Sequence, residues 1–342
     1  MEIVRCDDTY RVAWDEFVST HGQGSFYHRY AWREINAACF GHASSYLAAV
    51  EGTTIVGVLP IVRIKSRFFG KIACSLPFVN FGGICADADA VEAALLREAS
   101  TVADEWAVDY LEIRSRRSLS GGLPQSDHKV SLSIDLDADS DKLWAAFKTG
   151  HRQEIRRAYK NGFEVRIGGA ELLDDFYTVL SESWRDLGTP LYPKRYFAAI
   201  VRAFPDHVRL AVAYVGTEPA AAAFDGFSNG TIEGMWLGAR ARYRARGVNY
   251  VLYWELVKDA CQRGFRRFHL GRSSVDSGSE TFKKKWNAVA NQLYWGYLLR
   301  TRQEIPQLNV TNPKYQLAIR AWQKLPIPIT RFVGPLVARS IP

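Results

Sequence analysis

A short turn followed by a phenylalanine–lysine pair is the part of the sequence best suited to do chemistry. A predicted strand ends at Gly271-Arg272-Ser273, and a Ser/Gly-rich stretch, which we expect to be a flexible loop, leads from there to Phe282 and Lys283. A positioned ammonium or guanidinium group stabilises the oxyanion that forms when a nucleophile attacks an ester or thioester carbonyl. We therefore predict that Lys283 stabilises such an oxyanion and that Arg272 binds a phosphate group bidentately. The alternative is that the lysines at 283–285 are exposed solubilising charges.

Three carboxylates are candidate general bases for the same reaction: Glu233, Asp225 and Asp276. A base must take the proton that the attacking amine loses. The alternative interpretations are that Glu233 faces solvent and that Asp225 satisfies a turn. The sequence alone does not identify which of the three carboxylates is the base.

The basic face of a predicted helix is a further candidate anion site. Arg152, Arg156 and Lys160 recur at every fourth residue and Arg157 flanks them, so a helix places them on one side. Such a face can bind the phosphates of a nucleotide, a lipid diphosphate or a tRNA. The alternative is an ordinary solvated helix surface.

A basic turn between a predicted strand at 231–237 and a predicted helix at 248–263 is the last candidate anion site. Arg244 and Gly247 lie in this turn. Free backbone N–H groups and the helix dipole favour anions at such a helix start. The alternative is an ordinary strand-to-helix connection.

Two halves with the same order of elements must position these residues. The pattern of each half predicts a helical opening, a β-hairpin or meander, a long helix and a strand, and Asn229-Gly230 is a strong hairpin signal. The predicted elements include a loop-rich stretch at 68–81, a helix at 140–161 and a strand at 163–167. We therefore predict two similar α/β domains, each with its own sheet, over residues 1–149 and 150–299. Residues 300–342 form a tail that returns to the first domain or lies on a membrane. The domains are expected to meet at a cleft near Arg156, Lys194 and Lys283.

The order and spacing of these motifs resemble the FemAB-like proteins of the GNAT superfamily. The segments that carry the resemblance are Ser25-Phe26-Tyr27 with Trp32, Arg152-x-x-Ile155-Arg156-Arg157, Tyr192-Pro193-Lys194-Arg195-Tyr196, and Leu270-Gly271-Arg272-Ser273 with Phe282-Lys283-x-x-Trp286. Arg244-x-x-Gly247-x-Asn249 is similar, at two of three positions, to the turn that holds the pyrophosphate of acyl-CoA in GNAT acetyltransferases. The chain is most similar to the BioF2-like acetyltransferases and to FemAB-like proteins of exosortase/PEP-CTERM polysaccharide loci.

The resemblance implies tandem GNAT-like domains, each a mixed and mostly antiparallel sheet flanked by helices. It implies transfer of an acyl or aminoacyl group from acyl-CoA, such as acetyl-CoA, or from an aminoacyl-tRNA to an amine. The donor is then expected between the strands predicted at 232–237 and 265–270, where free backbone N–H groups hold its carbonyl. The acceptor is then an envelope or exopolysaccharide precursor, lipid-linked or nucleotide-linked. The family's Phe-Lys pair falls on Phe282 and Lys283, and its phosphate-binding basic residues fall on Lys194 or Arg195 and close to Arg33. His269 stands where relatives often have Asp.

A different class of function is also compatible with the sequence. The two GNAT-like domains can be catalytically silent and serve as a membrane-associated binding module of a polysaccharide export assembly. The incomplete Arg244-to-Asn249 turn favours this alternative, whereas the intact Phe282-Lys283 pair favours an enzyme.

Composition excludes several classes of protein. The chain has 342 residues, of which 47% are hydrophobic and 13% aromatic, so it can bury a large core and is not a disordered protein. No apolar run reaches the ~18 residues that span a bilayer. The first residues lack the apolar stretch of a secretory signal, and the five scattered cysteines indicate reduced thiols, so we expect a cytoplasmic protein. No His/Cys spacing typical of a metal site and no DNA-recognition motif appear.

The positive charge is concentrated at the C-terminal end. The net charge is +8, and residues 300–342 carry seven basic residues against one acid, which leaves +2 for the rest. Within 320–342, cations alternate with Trp322 and several aliphatic residues, and prolines prevent one long helix. This mixture suits the headgroup region of an anionic membrane, here the inner membrane face. The alternative is a strap packed on the first domain.

Overall fold

The protein was analysed as a computed structural model that describes residues 1–66, 70–306 and 313–341. Parts of a predicted loop-rich stretch at 68–81 and of the predicted tail lie outside these residues. The strands are β1 (Glu2–Arg5), β2 (Ala43–Glu51), β3 (Thr54–Ser66), β4 (Gly70–Cys74), β5 (Cys85–Ala86), β6 (Tyr110–Ser115), β7 (Gln125–Asp135), β8 (Phe163–Gly168), β9 (Val208–Val215), β10 (Glu218–Ser228), β11 (Thr231–Ala239), β12 (Arg267–Ser274) and β13 (Val289–Leu299).

Helices cover both faces of the sheet that these strands form. They are α1 (Arg11–Thr20), α2 (Trp32–Phe40), α3 (Asp89–Glu105), α4 (Ser140–Ala146), α5 (Thr149–Tyr159), α6 (Leu173–Leu187), α7 (Lys194–Ala203), α8 (Ala241–Arg244), α9 (Val248–Gln262), α10 (Gly278–Lys284), α11 (Pro313–Gln323) and α12 (Ile327–Ala338). The predicted fold class, mixed and mostly antiparallel sheet structure flanked by helices, is confirmed.

The strands form one continuous sheet, so the prediction of two separate sheets is wrong. Twelve of the strands run in the order β1-β2-β3-β4-β6-β13-β7-β12-β11-β10-β9-β8, and β5 pairs with β3. The pairs β4–β6 and β11–β12 are parallel, and the other pairs are antiparallel. Each half therefore contains one parallel pair inside an otherwise antiparallel arrangement.

The continuous sheet arises because the halves exchange a strand. Strand β7 belongs to the first half of the chain but lies between β12 and β13. Strand β13 belongs to the second half but lies between β6 and β7. Local hydrophobic patterns specify that a segment is a strand but not which distant strand it pairs with, so the sequence did not indicate this exchange.

The two halves also share a hydrophobic core. One cluster joins Phe26 and Trp32 of the first half to Tyr196, Phe197 and Trp236 of the second. The ring of Trp32 lies 6.3 Å from that of Tyr196, and the ring of Phe26 lies 4.8 Å from that of Phe204. This shared core fixes the orientation of one half relative to the other.

Two predicted elements near the candidate site differ from the structure. The predicted helix at 140–161 is divided into α4 and α5, because Phe147 and Lys148 adopt extended conformations between them. The stretch that carries Phe282 and Lys283 is a helix, α10, and not a flexible loop. The side chain of Ser277 caps this helix by accepting a hydrogen bond from the Glu280 N–H group.

The C-terminal tail packs mainly on the second half. In α12 the side of the helix with Thr330, Gly334 and Ala338 is buried, and Gly334 approaches the backbone of Leu191. The guanidinium of Arg331 donates to the Ser181 hydroxyl of α6. Contacts with the first half occur at both ends of the tail: Arg300 with Ser100 and Asp104, and the Arg339 carbonyl with His42. Among the described residues, no helix is both long and apolar enough to cross a membrane.

Candidate active site

A cavity opens where the parallel strands β11 and β12 stop pairing. Their ladder runs from Thr231–Arg267 to Glu233–His269 and goes no further. Beyond it lies a cavity of about 700 Å³, lined on one side by residues 234–237 and on the other by residues 270–274. This is the place predicted for the donor, between the strands at 232–237 and 265–270. We call it the catalytic cavity.

Lys283 is a buried lysine on the wall of the catalytic cavity. It is 6% exposed, and its Nζ donates to the carbonyl oxygens of Gly271 and Arg272, each at 2.9 Å. Burial, together with the nearby positive charge of Arg272, lowers its pKa to about 7. An ammonium group has three hydrogens. Two are directed at these carbonyls, which leaves one for a group bound beside it.

Two further cations line the same cavity. The Arg272 guanidinium lies 5.4 Å from the ring centre of Trp295 and donates to the Val79 carbonyl. Burial and the charge of Arg114 lower the pKa of Arg272 to about 10. Lys129 donates to the Ser274 hydroxyl at 2.6 Å. Burial lowers the pKa of Lys129, and the positive charge of Arg272 lowers it further.

The three cations share one property. Within the parts of the chain that the structure describes, Lys129, Arg272 and Lys283 have no carboxylate within ion-pair distance. Buried charges in proteins are usually paired. Three unpaired cations around one cavity therefore make it a favourable place for an anionic group, such as the phosphate of a substrate.

An asparagine from the first half closes the end of the gap between β11 and β12. The Asn80 amide donates to the Gly234 carbonyl at 3.2 Å and to the Tyr27 hydroxyl at 2.8 Å, and its oxygen accepts from the Arg272 N–H group at 3.4 Å. We expected free backbone N–H groups here to hold the donor carbonyl. At Arg272 this expectation is wrong, because Asn80 binds that group.

The candidate general bases have three different environments. Glu233 is 1% exposed and its carboxylate lies 3.0 Å from Nδ1 of His269, so it does not face solvent. Asp225 lies in the middle of β10 and pairs with Arg209 at 3.0 Å, so it does not serve a turn. Burial raises the pKa of Asp225, against the opposing effect of Arg209. Asp276 is exposed, in a turn with φ of 58°.

Among the other predicted site residues near the catalytic cavity, Ser273 lines it and Phe282 supports it from behind. The Ser273 hydroxyl is 3.0 Å from that of Ser279. The Phe282 ring packs against Tyr250 and Tyr253 at centroid distances of 5.4 Å. Phe282 thus holds α10 against α9, which positions Lys283.

The basic residues that were predicted to bind phosphates lie elsewhere and contact protein groups. Arg33 pairs with Asp8, Lys194 with Asp174, Arg195 donates to the Cys39 carbonyl, Arg152 donates to the Ala145 carbonyl, Arg156 lies over the Trp144 ring, and Arg244 is 3.9 Å from Asp186. None of these six lines the catalytic cavity. Of the three residues expected at one cleft, Arg156, Lys194 and Lys283, only Lys283 does so.

Gly247 has a clear backbone role. It begins α9 with φ of 83°, in the left-handed region that favours glycine, and a Cβ there would come 2.9 Å from that of Ala158. The turn around it is not part of the catalytic cavity.

Sequence reasoning missed Lys129, Asn80 and the role of His269. Asn80 lies 192 residues from Arg272 in the chain, and Lys129 lies 145 residues from Ser274. Neither sits in a motif, so no local pattern could have indicated them. The His269–Glu233 pair had one signal, a histidine at the end of a buried strand beside a glycine turn.

The comparisons with known proteins address the fold. A family model described as an acetyltransferase (GNAT) domain matches residues 145–284. A crystal structure of FemX aligns over 93% of this chain and 100% of its own, with a TM-score of 0.66 and 15% identity. The chain has a tandem GNAT fold.

Two other solved structures have a similar fold. The C-terminal domain of a putative lysylphosphatidylglycerol synthetase from Agrobacterium fabrum aligns over 95% of this chain and 96% of its own, with a TM-score of 0.57 and 12% identity. A tandem GNAT protein from the clavulanic acid biosynthesis pathway aligns over 89% of this chain and 99% of its own, with a TM-score of 0.55 and 12% identity. No curated protein matches the sequence. The family match ends one residue after Lys283, so it includes the helix that carries this residue.

Proposed function

We propose that the protein is an N-acyltransferase that moves an activated acyl or aminoacyl group onto an amine. The observation that carries the proposal is Lys283, a buried ammonium group with two of its three N–H groups fixed by backbone carbonyls. A group held in this way needs no reorganisation when negative charge develops beside it, which is the requirement for stabilising an oxyanion. The GNAT-type fold supports the same reaction class.

In the proposed reaction a neutral amine attacks the donor carbonyl in the catalytic cavity. The new C–N bond forms as the carbonyl oxygen becomes an oxyanion, which accepts a hydrogen bond from Lys283. The tetrahedral intermediate collapses by breaking the C–S or C–O bond to the donor. The proton lost by the amine ends on the departing thiol or hydroxyl group. Arg272 and Lys129 bind a phosphate of the donor or acceptor.

The donor is acyl-CoA or an aminoacyl-tRNA, and both carry the phosphates that three unpaired cations favour. The acceptor is an amine-bearing precursor of the cell envelope or of an exopolysaccharide. The fold neighbours FemX and a putative lysylphosphatidylglycerol synthetase support an envelope acceptor. The assignment to an exosortase/PEP-CTERM system depends on the sequence resemblance.

We also propose that the protein contacts the inner membrane face through its tail. Three large apolar residues of α12, Ile329, Phe332 and Leu336, are 44%, 77% and 57% exposed and lie on one side of the helix. We call them the apolar stripe. The exposed Arg320 and Lys324 precede them. An apolar stripe beside basic residues is typical of a helix that lies in an anionic membrane surface.

The catalytic proposal is tested with matched lysine variants. Release of CoA from acetyl-CoA, and of free tRNA from lysyl-tRNA, is measured with hydroxylamine as the amine. Lys283→Met should lower kcat by ~10²-fold or more, as the loss of a preorganised oxyanion donor does. Lys285→Met removes an exposed lysine two positions after Lys283 that does not line the cavity, and it is the control. Equal activity of the two variants would show that Lys283 has no part in the reaction.

A further inference from the structure

A second cavity lies directly behind the catalytic cavity. It has a volume of about 420 Å³ and is lined by residues 114–117 at the end of β6, by β13 and by the loop at 81–84. Residues that are neighbours in the chain line different cavities. Asn80 and Leu270 line the catalytic cavity, whereas the adjacent Phe81 and His269 line the second cavity. The wall between them is therefore formed by adjacent residues of the same two segments.

The second cavity is rich in arginine, and one of its arginines has no acidic partner. Arg114 pairs with Glu112 at 2.6 Å, Arg117 with Glu92 at 2.5 Å, and Arg267 with Asp135 at 2.8 Å. Arg116 has no carboxylate within ion-pair distance in the described ranges.

Contacts with neutral groups hold the Arg116 guanidinium in place. It donates to the Gln23 carbonyl at 2.7 Å and lies 4.9 Å from the centre of the Phe81 ring. These contacts orient the guanidinium and leave its charge uncompensated. Since a guanidinium has five N–H donors, several remain for a ligand.

The other titratable groups of the cavity do not cancel this charge. Asp135 is the acidic residue among those that line this cavity, and it is already paired with Arg267. His28 is hydrogen-bonded to Ser25 and to the Gly83 carbonyl, and burial lowers its pKa to about 3, so it is neutral. His269 is bonded to Glu233. The cavity therefore keeps an excess of positive charge.

Two buried hydroxyl groups give a second, independent indication of a ligand. Ser115 and Ser131 both line the cavity and are 4% and 3% exposed. Neither hydroxyl has a hydrogen-bond partner among the described residues. Buried polar groups in folded proteins are almost always bonded, and a bound ligand would supply the missing partner.

We propose that the second cavity is an acceptor site that binds a carboxylate or phosphate group through Arg116, Ser115 and Ser131. This inference rests on the proposed acyl transfer, because it assigns the ligand as the amine-bearing substrate. The acceptor is then an anionic amine. Its acid group binds behind the wall, and its amine reaches the catalytic cavity when the hydrogen bonds of Asn80 across the gap open.

Binding to the protein without donor tests the site directly. Inorganic pyrophosphate and succinate are titrated calorimetrically as phosphate and dicarboxylate probes. Arg116→Gln should weaken one binding event by about tenfold or more, since a charge-assisted hydrogen bond is lost. Arg97→Gln, which removes an exposed arginine of α3 outside both cavities, should leave it unchanged. If only pyrophosphate binds, the site takes a phosphate ligand. If only succinate binds, the site takes a carboxylate ligand. If neither binds, or if both variants bind as the wild type does, the proposal is overturned.

The serines separate a binding role from a structural one. Removing an unpaired buried hydroxyl takes away an unfavourable group from the free protein, so Ser131→Ala should not lower the melting temperature. It should nevertheless weaken probe binding. A lower melting temperature with unchanged probe binding would contradict the proposal.

The two proposals fail in different experiments. If Lys283→Met leaves transfer unchanged while Arg116→Gln still weakens probe binding, the catalytic proposal fails and the anion site stands. If Lys283→Met lowers transfer while Arg116→Gln has no effect on probe binding, the acyltransferase stands and the second site is wrong.

Discussion

At the scale of single residues, the buried cations of this protein fall into two groups. Arg114 and Arg209 are 1% and 2% exposed, and each has a carboxylate partner. Lys283 is nearly as buried but is bonded to backbone carbonyls alone, and the half-buried Arg272 is likewise unpaired. A paired cation is compatible with a structural role. An unpaired one lowers the stability of the free protein and is retained where function requires it.

The low pKa of Lys283 predicts how its removal changes stability with pH. The folded protein holds this lysine with a pKa of about 7, below its ordinary value of 10.5. Between these two values the unfolded chain binds more protons, so wild-type stability should rise with pH in this window. Lys283→Met removes this contribution. The variant should therefore be stabilised relative to wild type at pH 6, and this advantage should be smaller at pH 9, as measured by urea unfolding.

The exposed Lys285 provides the control for this experiment. If Lys285→Met shows the same change with pH as Lys283→Met, burial of Lys283 is not the cause. If neither variant gains stability at pH 6, the ammonium group at position 283 is not held at a disadvantage in the folded protein.

The sequence predicted part of the catalytic cavity at this scale. Gly271-Arg272-Ser273 and Lys283 were indicated by local chemistry and by motif, and the structure places them around one cavity. The basic residues Arg156 and Lys194 were not distinguishable from ordinary surface charges, because their partners Trp144 and Asp174 are set by packing. Asn80 has no local signal at all, since its contacts are made across the whole chain.

At the scale of elements, periodicity predicted most strands and helices but not their arrangement. The helix predicted at 248–263 and the strand predicted at 163–167 correspond closely to α9 and β8. The short strand β1 was missed, and a loop-rich stretch was expected where β4 lies. The exchange of β7 and β13 was also missed, because register between distant strands depends on tertiary contacts.

The strand exchange predicts where the chain can be divided. A cut before Thr149 leaves β7 in the first fragment, while both of its neighbours, β12 and β13, are in the second. A cut between Gly121 and Gly122 keeps β7 with both neighbours. We expect the fragment 122–342 to show more folded structure than the fragment 149–342, measured by circular dichroism and limited proteolysis.

Co-expression completes this test of the domain boundary. The fragments 1–148 and 149–342 should be recovered together, because each supplies a strand that lies between strands of the other. If the fragment 149–342 is as well folded alone as 122–342, the boundary predicted at 149/150 is correct and the exchanged strand is dispensable.

At the scale of the whole molecule, the shared sheet and core join two cavities into one unit. The segments 78–84 and 267–274 contribute to both cavities, and 267–274 pairs with the exchanged strand β7. A ligand in one cavity therefore touches residues next to those that line the other. This arrangement suits a reaction in which two substrates must meet, with the donor on one side of a thin wall and the acceptor on the other.

The structure places the tail mainly on the second half, not on the first domain as one sequence alternative had it, and leaves one side of α12 exposed for the proposed membrane contact. Its buried side, with Gly334 against Leu191, acts as a strap on the second half. Its opposite side exposes the apolar stripe. Deleting residues 313–342 would remove the packing on the second half together with the proposed membrane contact, so substitution within the stripe is the sharper test.

We predict that Phe332→Ser combined with Leu336→Ser abolishes binding to vesicles of anionic phospholipid at low salt. Both side chains are more than half exposed, so the melting temperature should change little. Wild-type binding should weaken as salt rises, because the exposed basic residues each contribute about 1 kcal/mol of screened attraction near an anionic surface. Val12→Ser, which removes a 66% exposed apolar residue from the first half, is the control and should bind as the wild type does. Co-sedimentation that is unchanged in the double variant would show that the stripe does not reach the lipid, and absence of wild-type binding would leave the tail as a strap alone.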